Sequence, residues 1–287
     1  MRTMICMAAV PLLFGCSHSA PPEAPASPST PRDTALKLVW SDEFDGPANA
    51  PPDATKWRAD VGDGCSVGIC GWGNNEKENY TDDRGNAALN GDGQLAITAR
   101  VAGSATSCYY GACRYTSAKL TTRGLMNAAP GRVEARIKLP VGQGLWPAFW
   151  MLGHDNPTTP WPLCGELDIM ENRGSQPDST SSAVHGPNYA GGVSLNRRSS
   201  LPSGSLTSDY HVYAIEWDLN TIQFFVDGRQ TFAVERIQVE SKGPWVFNQS
   251  FYMILNLAVG GHFDGDPGSD SIFPAAMLVD WVRAYRR

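Results

Sequence analysis

The chain has no long segment with a 3.6-residue apolar period, which argues against a helical bundle or coiled coil. It has no positive excess either. The 23 Lys and Arg stand against 29 Asp and Glu, a formal net charge of −6. That balance gives no footing to a nucleic-acid partner and works mildly against a polyanionic substrate. No phosphate-cradling glycine loop, redox-cofactor motif, internal repeat or second domain is visible. Cysteine is sparse at seven residues, and no histidine cluster accompanies it, so zinc is not indicated. What the chain does have is glycine, proline and flat rings: 29 Gly, 21 Pro, nine Trp, nine Tyr and ten Phe in 287 residues. Most of the rings must be core, but such a supply also suits stacking on sugars.

The N-terminus reads as a targeting segment. Arg2 precedes an apolar run, Met4 to Phe14, too short to span a bilayer as a stable helix. The run ends in Leu13-Phe14-Gly15-Cys16, which resembles a bacterial lipobox, with lipidation of Cys16 after cleavage. Phe14 is bulky for that place, so ordinary secretion is the alternative. The expected organisation is a signal peptide over 1–16, a Pro/Ser/Ala-rich tether over 17–35 and one folded domain over 36–287. Both routes take the mature protein out of the cytoplasm, to the outer membrane or periplasm or beyond. A lipid on Cys16 would be its only tie to a membrane, and a monomer is expected. In an oxidising compartment the close pairs Cys65/Cys70 and Cys108/Cys113 suggest two loop staples, although other pairings satisfy the same count. Cys164 is left over and reads as a buried thiol.

From Leu36 onward, short alternating runs punctuated by Gly, Asn and Asp dominate. They include residues 36–40, 94–99, 131–139, 213–217, 221–228, 251–258 and 277–285. Many short strands with such turns predict an all-β sandwich in one domain.

The rest of the chain is organised around Gly165-Glu166-Leu167-Asp168-Ile169-Met170-Glu171-Asn172. Glu166 and Asp168 alternate with Leu167 and Ile169 as on a strand, acids on one face and apolar side chains on the other. Glu171 stands at an odd offset from Glu166 and would face the core in a regular strand. One extra residue near Ile169-Met170, a β-bulge, restores the parity and brings all three acids to one surface. Three like charges on one face cannot all ionise freely, so a protonated acid beside an ionised partner is expected. Glycosidic bond cleavage needs that division: one acid to protonate the leaving oxygen, one carboxylate at the anomeric carbon. An acidic solvated face or a cation site is the plain alternative. The flanks Leu145-Trp146-Pro147-Ala148-Phe149-Trp150-Met151 and Trp161-Pro162 argue against an open solvated face.

The stretch from Gly165 to Glu171 resembles the signature of glycoside hydrolase family 16, in the bulged form typical of bacterial laminarinases (endo-β-1,3-glucanases). The resemblance extends over essentially all of Leu36 to Arg287, through Trp72-Gly73-Asn74-Asn75-Glu76, Tyr115-Thr116-Ser117-Ala118-Lys119-Leu120, Trp146-Pro147-Ala148-Phe149-Trp150, Ile254-Leu255-Asn256-Leu257-Ala258 and Val279-Asp280-Trp281. It implies a concanavalin A-like jelly roll of two curved antiparallel sheets, with substrate across the concave one. It also implies Glu166 as nucleophile, Asp168 as its assistant and Glu171 as acid/base. Retention of configuration goes with carboxyl groups about 5–5.5 Å apart. By the same resemblance Trp72, Asn75, Glu76, Arg84, Trp146, Trp150, His185 and Asn256 are candidate substrate-binding residues, with His185 in a supporting role. A structural calcium would be held by Glu43, Asp280 and the Gly93 carbonyl, hard oxygen ligands of the right kind; no catalytic cofactor is implied.

The chain departs from the pattern at His262-Phe263-Asp264, where laminarinases often carry a Trp, and at Asn188-Tyr189. The Asp264, Asp266 and Asp270 stretch reads as a cleft-rim loop. The expected activity is an exported endo-β-1,3-glucanase acting with retention on a β-glucan. Mixed-linkage β-1,3-1,4-glucanase, agarase, carrageenase or transglycosylase are the alternatives within the family. A non-catalytic carbohydrate-binding jelly roll is the alternative outside it.

Overall fold

The alternating runs form two stacked β-sheets in a computed structural model, which describes residues 35–103, 106–201 and 204–287. The expected signal segment, Cys16 and the tether up to residue 34 lie outside the described residues. One sheet runs, edge to edge, Arg229–Glu235, Thr221–Val226, His211–Trp217, Gly131–Lys138, Ala275–Arg286, Leu95–Val101, Tyr115–Ser117 and Glu78–Tyr80. The first strand, Lys37–Asp42, pairs antiparallel with the last, Ala275–Arg286, so the two ends of the domain meet. The other sheet runs Leu195–Ser200, Ser179–His185, Glu166–Glu171, Leu145–Gly153, Phe251–Val259, Lys119–Thr121 and Arg58–Ala59. Among the described residues pairing is antiparallel, as expected for a jelly roll, with one exception: Glu78–Tyr80 lies parallel to Tyr115–Ser117. The intervening chain, with its own strands, supplies the long crossover that a parallel pair needs.

The core lies between the sheets. Phe149, Met151, Leu167, Met253, Leu255 and Leu257 from the second sheet are fully buried, as are Ile97, Val133, Ile137, Val279 and Val282 from the first. Each such side chain contributes about 1.5–3 kcal/mol by leaving water. A one-residue slip of any central strand would turn that whole set outward, so the apolar alternation fixes the register and hence which residues face the cleft. The only α-helix among the described residues is one short element, Arg236–Glu240, closed by a capping box between Glu235 and Gln238.

Two disulfides staple surface loops, Cys65–Cys70 and Cys108–Cys113, and Cys164 is a buried free thiol. The Cys108–Cys113 link closes a small hairpin whose tip docks on the loop before residue 78. There the Tyr109 N–H donates to Asp63 Oδ2 at 2.6 Å, and its hydroxyl donates to Asn75 Oδ1 at 2.8 Å.

Candidate active site

The acid strand carries the bulge. Across one edge Ala148 pairs with Glu171 and Trp150 with Asp168, so two steps on that neighbour face three on the acid strand. Across the other edge Ser181 and Ala183 meet the same two acids. The extra residue lets both Ile169 and Met170 sink into the core, while Glu166, Asp168 and Glu171 share the opposite face. Register then builds that face in rows. Glu171, Ala148, Asn256 and Lys119 form one row over four strands. Asp168, Trp150, Ile254 and Thr121 form the next, and Glu166 sits between His185 and Leu152 in a third.

Burial, reinforced by the neighbouring Asp168 charge, pushes Glu166 up to about 8. Burial does the same to Asp168, to about 8. Glu171 is likewise raised to about 8 by burial and by Asp168. The protons leave such a trio in steps that belong to the set rather than to one residue. Burial and mutual repulsion both favour the protonated forms, and each carboxyl ionises less readily once a neighbour has ionised. The Trp146 indole N–H donates to Glu171 Oε1 at 3.1 Å, favouring the ionised form of that residue. His185 Nε2 lies 3.0 Å from Asp168 Oδ2 and 3.6 Å from Glu166 Oε1. His185 Nδ1 accepts from the Gly191 N–H at 3.0 Å, which leaves the ring proton on Nε2, facing the acids. Glu166, Asp168 and His185 converge as a metal-binding trio could. An imidazole whose Nε2 carries the proton is a poor metal ligand, and Asp168 Oδ2 accepts no hydrogen bond among the described residues.

The candidate rings flank this centre. Trp146 stacks on Phe263 with centroids 4.7 Å apart, and the Arg173 guanidinium lies 3.9 Å from the Phe263 ring centroid. Asp264 ties that rim loop down by accepting from the Gly144 and Ser175 N–H groups. Trp150 Nε1 donates to Asn256 Oδ1 at 2.7 Å, and Asn256 Nδ2 donates to the Tyr80 hydroxyl at 3.0 Å. Asn256 is thus a buried support under Trp150, with both ends of its amide engaged. Trp72 is half-buried against Tyr80, in a left-handed backbone conformation at φ 50°. Asn75 is exposed beside it. Glu76 differs from the expected exposed sugar contact. It is buried, with Oε1 accepting from Asn74 Nδ2 at 2.9 Å and Oε2 from the Tyr80 hydroxyl at 3.3 Å. Arg84 stands on the exposed turn after Tyr80, and among the described residues no hydrogen bond or ion pair joins it to the other candidates.

The residues expected to hold calcium are engaged elsewhere. Glu43 accepts a two-pronged contact from Arg283 at 3.0 and 2.8 Å, which holds its carboxyl below the usual range. Asp280 accepts from Arg136 at 2.6 Å. Both carboxylates are engaged by guanidinium groups, which a calcium ion would have to displace.

Several residues of the cleft went unassigned in the sequence. Lys119 is buried, with its ammonium 4.1 Å from the Trp72 ring centroid and 5.0 Å from that of Trp150. No ion pair of Lys119 occurs among the described residues. A charged residue within the apolar alternation of 118–120 was the signal for it. Trp161, 47 % exposed, has its ring 6.3 Å from His185 and its side chain within hydrogen-bonding reach of Glu166.

An antiparallel sheet face that carries three buried carboxyls between indole rings is the apparatus of a polysaccharide-cleaving glycosidase. The profile of glycosyl hydrolases family 16 matches residues 74–283. A β-glucanase from Rhodothermus marinus is 40% identical over 96% of this chain and 92% of its own length. The endo-β-1,3-glucanase of Pyrococcus furiosus superposes with TM-score 0.82 and 44% identity, over 87% of this chain and 94% of that one. The laminarinase catalytic domain of Thermotoga maritima gives TM-score 0.82 and 40% identity, over 88% and 98% respectively. The chain belongs to glycoside hydrolase family 16.

Proposed function

We propose that the enzyme cleaves internal β-1,3 linkages of a glucan by double displacement with retention of configuration. The observation that carries this reading is the bulge, which sets Glu166, Asp168 and Glu171 on one face. In the first step a Glu166 carboxylate oxygen attacks the anomeric carbon as the bond to the leaving oxygen breaks, and that oxygen takes the Glu171 proton. In the second step Glu171, now ionised, deprotonates a water that displaces Glu166 and releases the sugar. Asp168 adjusts which of its neighbours keeps a proton, and His185 holds the pair Glu166 and Asp168 in place. The β-1,3 preference is supported by the Pyrococcus and Thermotoga relatives. Export is supported by the N-terminal pattern and by two disulfides.

The test is reducing-sugar release from laminarin, lichenan, agarose and κ-carrageenan by wild type and Glu166→Ser, with the anomer released followed by NMR. Laminarin cleavage that yields the β-anomer first and disappears in the variant is the expected result. Cleavage of lichenan, agarose or carrageenan alone would overturn the substrate, and initial release of the α-anomer would overturn retention. Binding without hydrolysis by the wild type would favour a carbohydrate-binding role.

A further inference from the structure

Glu78 is buried, takes no part in the mechanism above, and carries an anomaly. Its Oε2 accepts from the Val259 N–H at 2.7 Å, which anchors it to the strand beneath the cleft. Its Oε1 is fully enclosed and meets no donor. A buried carboxylate oxygen without a donor is costly, and the adjacent side chain is another buried carboxyl, Glu76. Both difficulties vanish if Oε1 carries a proton and donates it to Glu76. Burial and the Glu76 charge both push in that direction.

The hydrogen bonds beyond Glu76 share one polarity. Asn74 and the Tyr80 hydroxyl donate to Glu76, Asn256 donates to Tyr80, and Trp150 donates to Asn256. Every donor points toward Glu76, and these bonds, with that from Glu78, favour its anionic form against the burial that raises it. Trp150 stands at the far end of this chain, directly across from Asp168. We propose that Glu78 is a positioning residue: as a neutral acid it donates to Glu76, polarises the Glu76–Tyr80–Asn256–Trp150 chain, and so holds the indole on which substrate rests. The proposal rests on the glucanase reading for its substrate, but not for the state of Glu78. The ionisable groups facing Glu78 are Glu76 and Tyr80 nearby in sequence, Lys119 from a strand of the other sheet and Tyr110 from the disulfide hairpin. Ionising Glu78 at alkaline pH would place two carboxylates together, break the polarity and loosen Trp150.

The test compares wild type, Glu78→Gln and Glu78→Leu. Glutamine reproduces the proposed state, its amide N–H donating to Glu76 while its carbonyl accepts from Val259. Glu78→Gln is expected to keep wild-type KM and kcat on laminarin at neutral pH and to lose the rise of KM that wild type shows at alkaline pH. Glu78→Leu removes the donor and is expected to raise KM about tenfold with kcat within about twofold, as one hydrogen bond to an anion is worth. Independently of activity, the infrared spectrum of wild type minus Glu78→Gln at neutral pH should show a protonated carboxyl band. Absence of that band, or a Glu78→Gln variant as impaired in KM as Glu78→Leu, overturns the proposal. No laminarin cleavage by the wild type would instead refute the glucanase reading, and the infrared band would still decide the state of Glu78.

Discussion

Replacing Asp168 with Asn removes one charge from the centre of the trio while keeping its size and the bulge. Glu166, Asp168 and His185 bring polar atoms within 4.8 Å of one another. A full charge at ~4.8 Å in an effective dielectric of about 20 is worth about 3.5 kcal/mol, or roughly 2.5 pH units on a neighbour's titration. Asp168 is itself raised to about 8 and so is only partly ionised when its neighbours titrate. About one pH unit is then the realistic effect. The sign follows from the charge: without a negative neighbour, Glu166 and Glu171 lose their protons more easily. The alkaline limb of kcat/KM on laminarin should therefore move toward acid by about one pH unit. kcat should fall about tenfold, as a shift of about one pH unit in its neighbours' titration is worth. The assay is a pH–rate profile of wild type and Asp168→Asn, with circular dichroism to show that the variant is folded. An alkaline limb that stays in place, or moves toward higher pH, would refute the reasoning.

The same trio links stability to pH. Its three carboxyls titrate near 8 in the fold against about 4 when unfolded, so folded chains bind more protons between those values. Their contribution is complete below about pH 4 and is lost as pH rises through 8, so Tm should fall between pH 5 and pH 9, less steeply in Asp168→Asn; a Tm that rises over that range contradicts the assignment. Lys119→Met keeps the stem against Trp72 and Trp150 but removes a buried unpaired charge, so Tm should hold or rise while KM for laminarin grows about tenfold; an unchanged KM would remove Lys119 from the binding surface. Cutting the hairpin staple with Cys108→Ser and Cys113→Ser frees Tyr109 from Asp63 and Asn75, which should raise KM more than it lowers kcat; an equal loss in both would tie the hairpin to the chemistry instead. Treatment with EDTA should leave Tm unchanged because Arg283 and Arg136 already neutralise Glu43 and Asp280; a drop restored by calcium would show that the ion displaces those arginines.

Much of the site was legible because its signals are local. The spacing from Glu166 to Glu171, odd where strand parity demands even, announces a bulge before any coordinates, and Ile169 and Met170 are both large enough to fill the space it opens. The Trp146, Phe149 and Trp150 alternation likewise shows which rings share a face. Glu76 was misjudged for the opposite reason. In sequence it belongs to a Gly- and Asn-rich loop and reads as exposed, yet the fold turns its carboxyl inward onto Asn74, Tyr80 and Glu78. Asn256 was placed on the correct face, but its amide supports Trp150 rather than reaching the cleft.

Apolar periodicity, turn residues and acid spacing by themselves determined the all-β class, the central strand and the face its acids share, because each depends on neighbours a few residues apart. The tertiary structure alone decided which partner each polar group meets. Arg283 and Arg136 reach Glu43 and Asp280, Gly191 selects the His185 tautomer, and Val259 leaves one Glu78 oxygen in need of a proton. Those pairings join residues as far apart as 240 positions, and the free energy of a buried charge depends on what encloses it rather than on what precedes it in the chain.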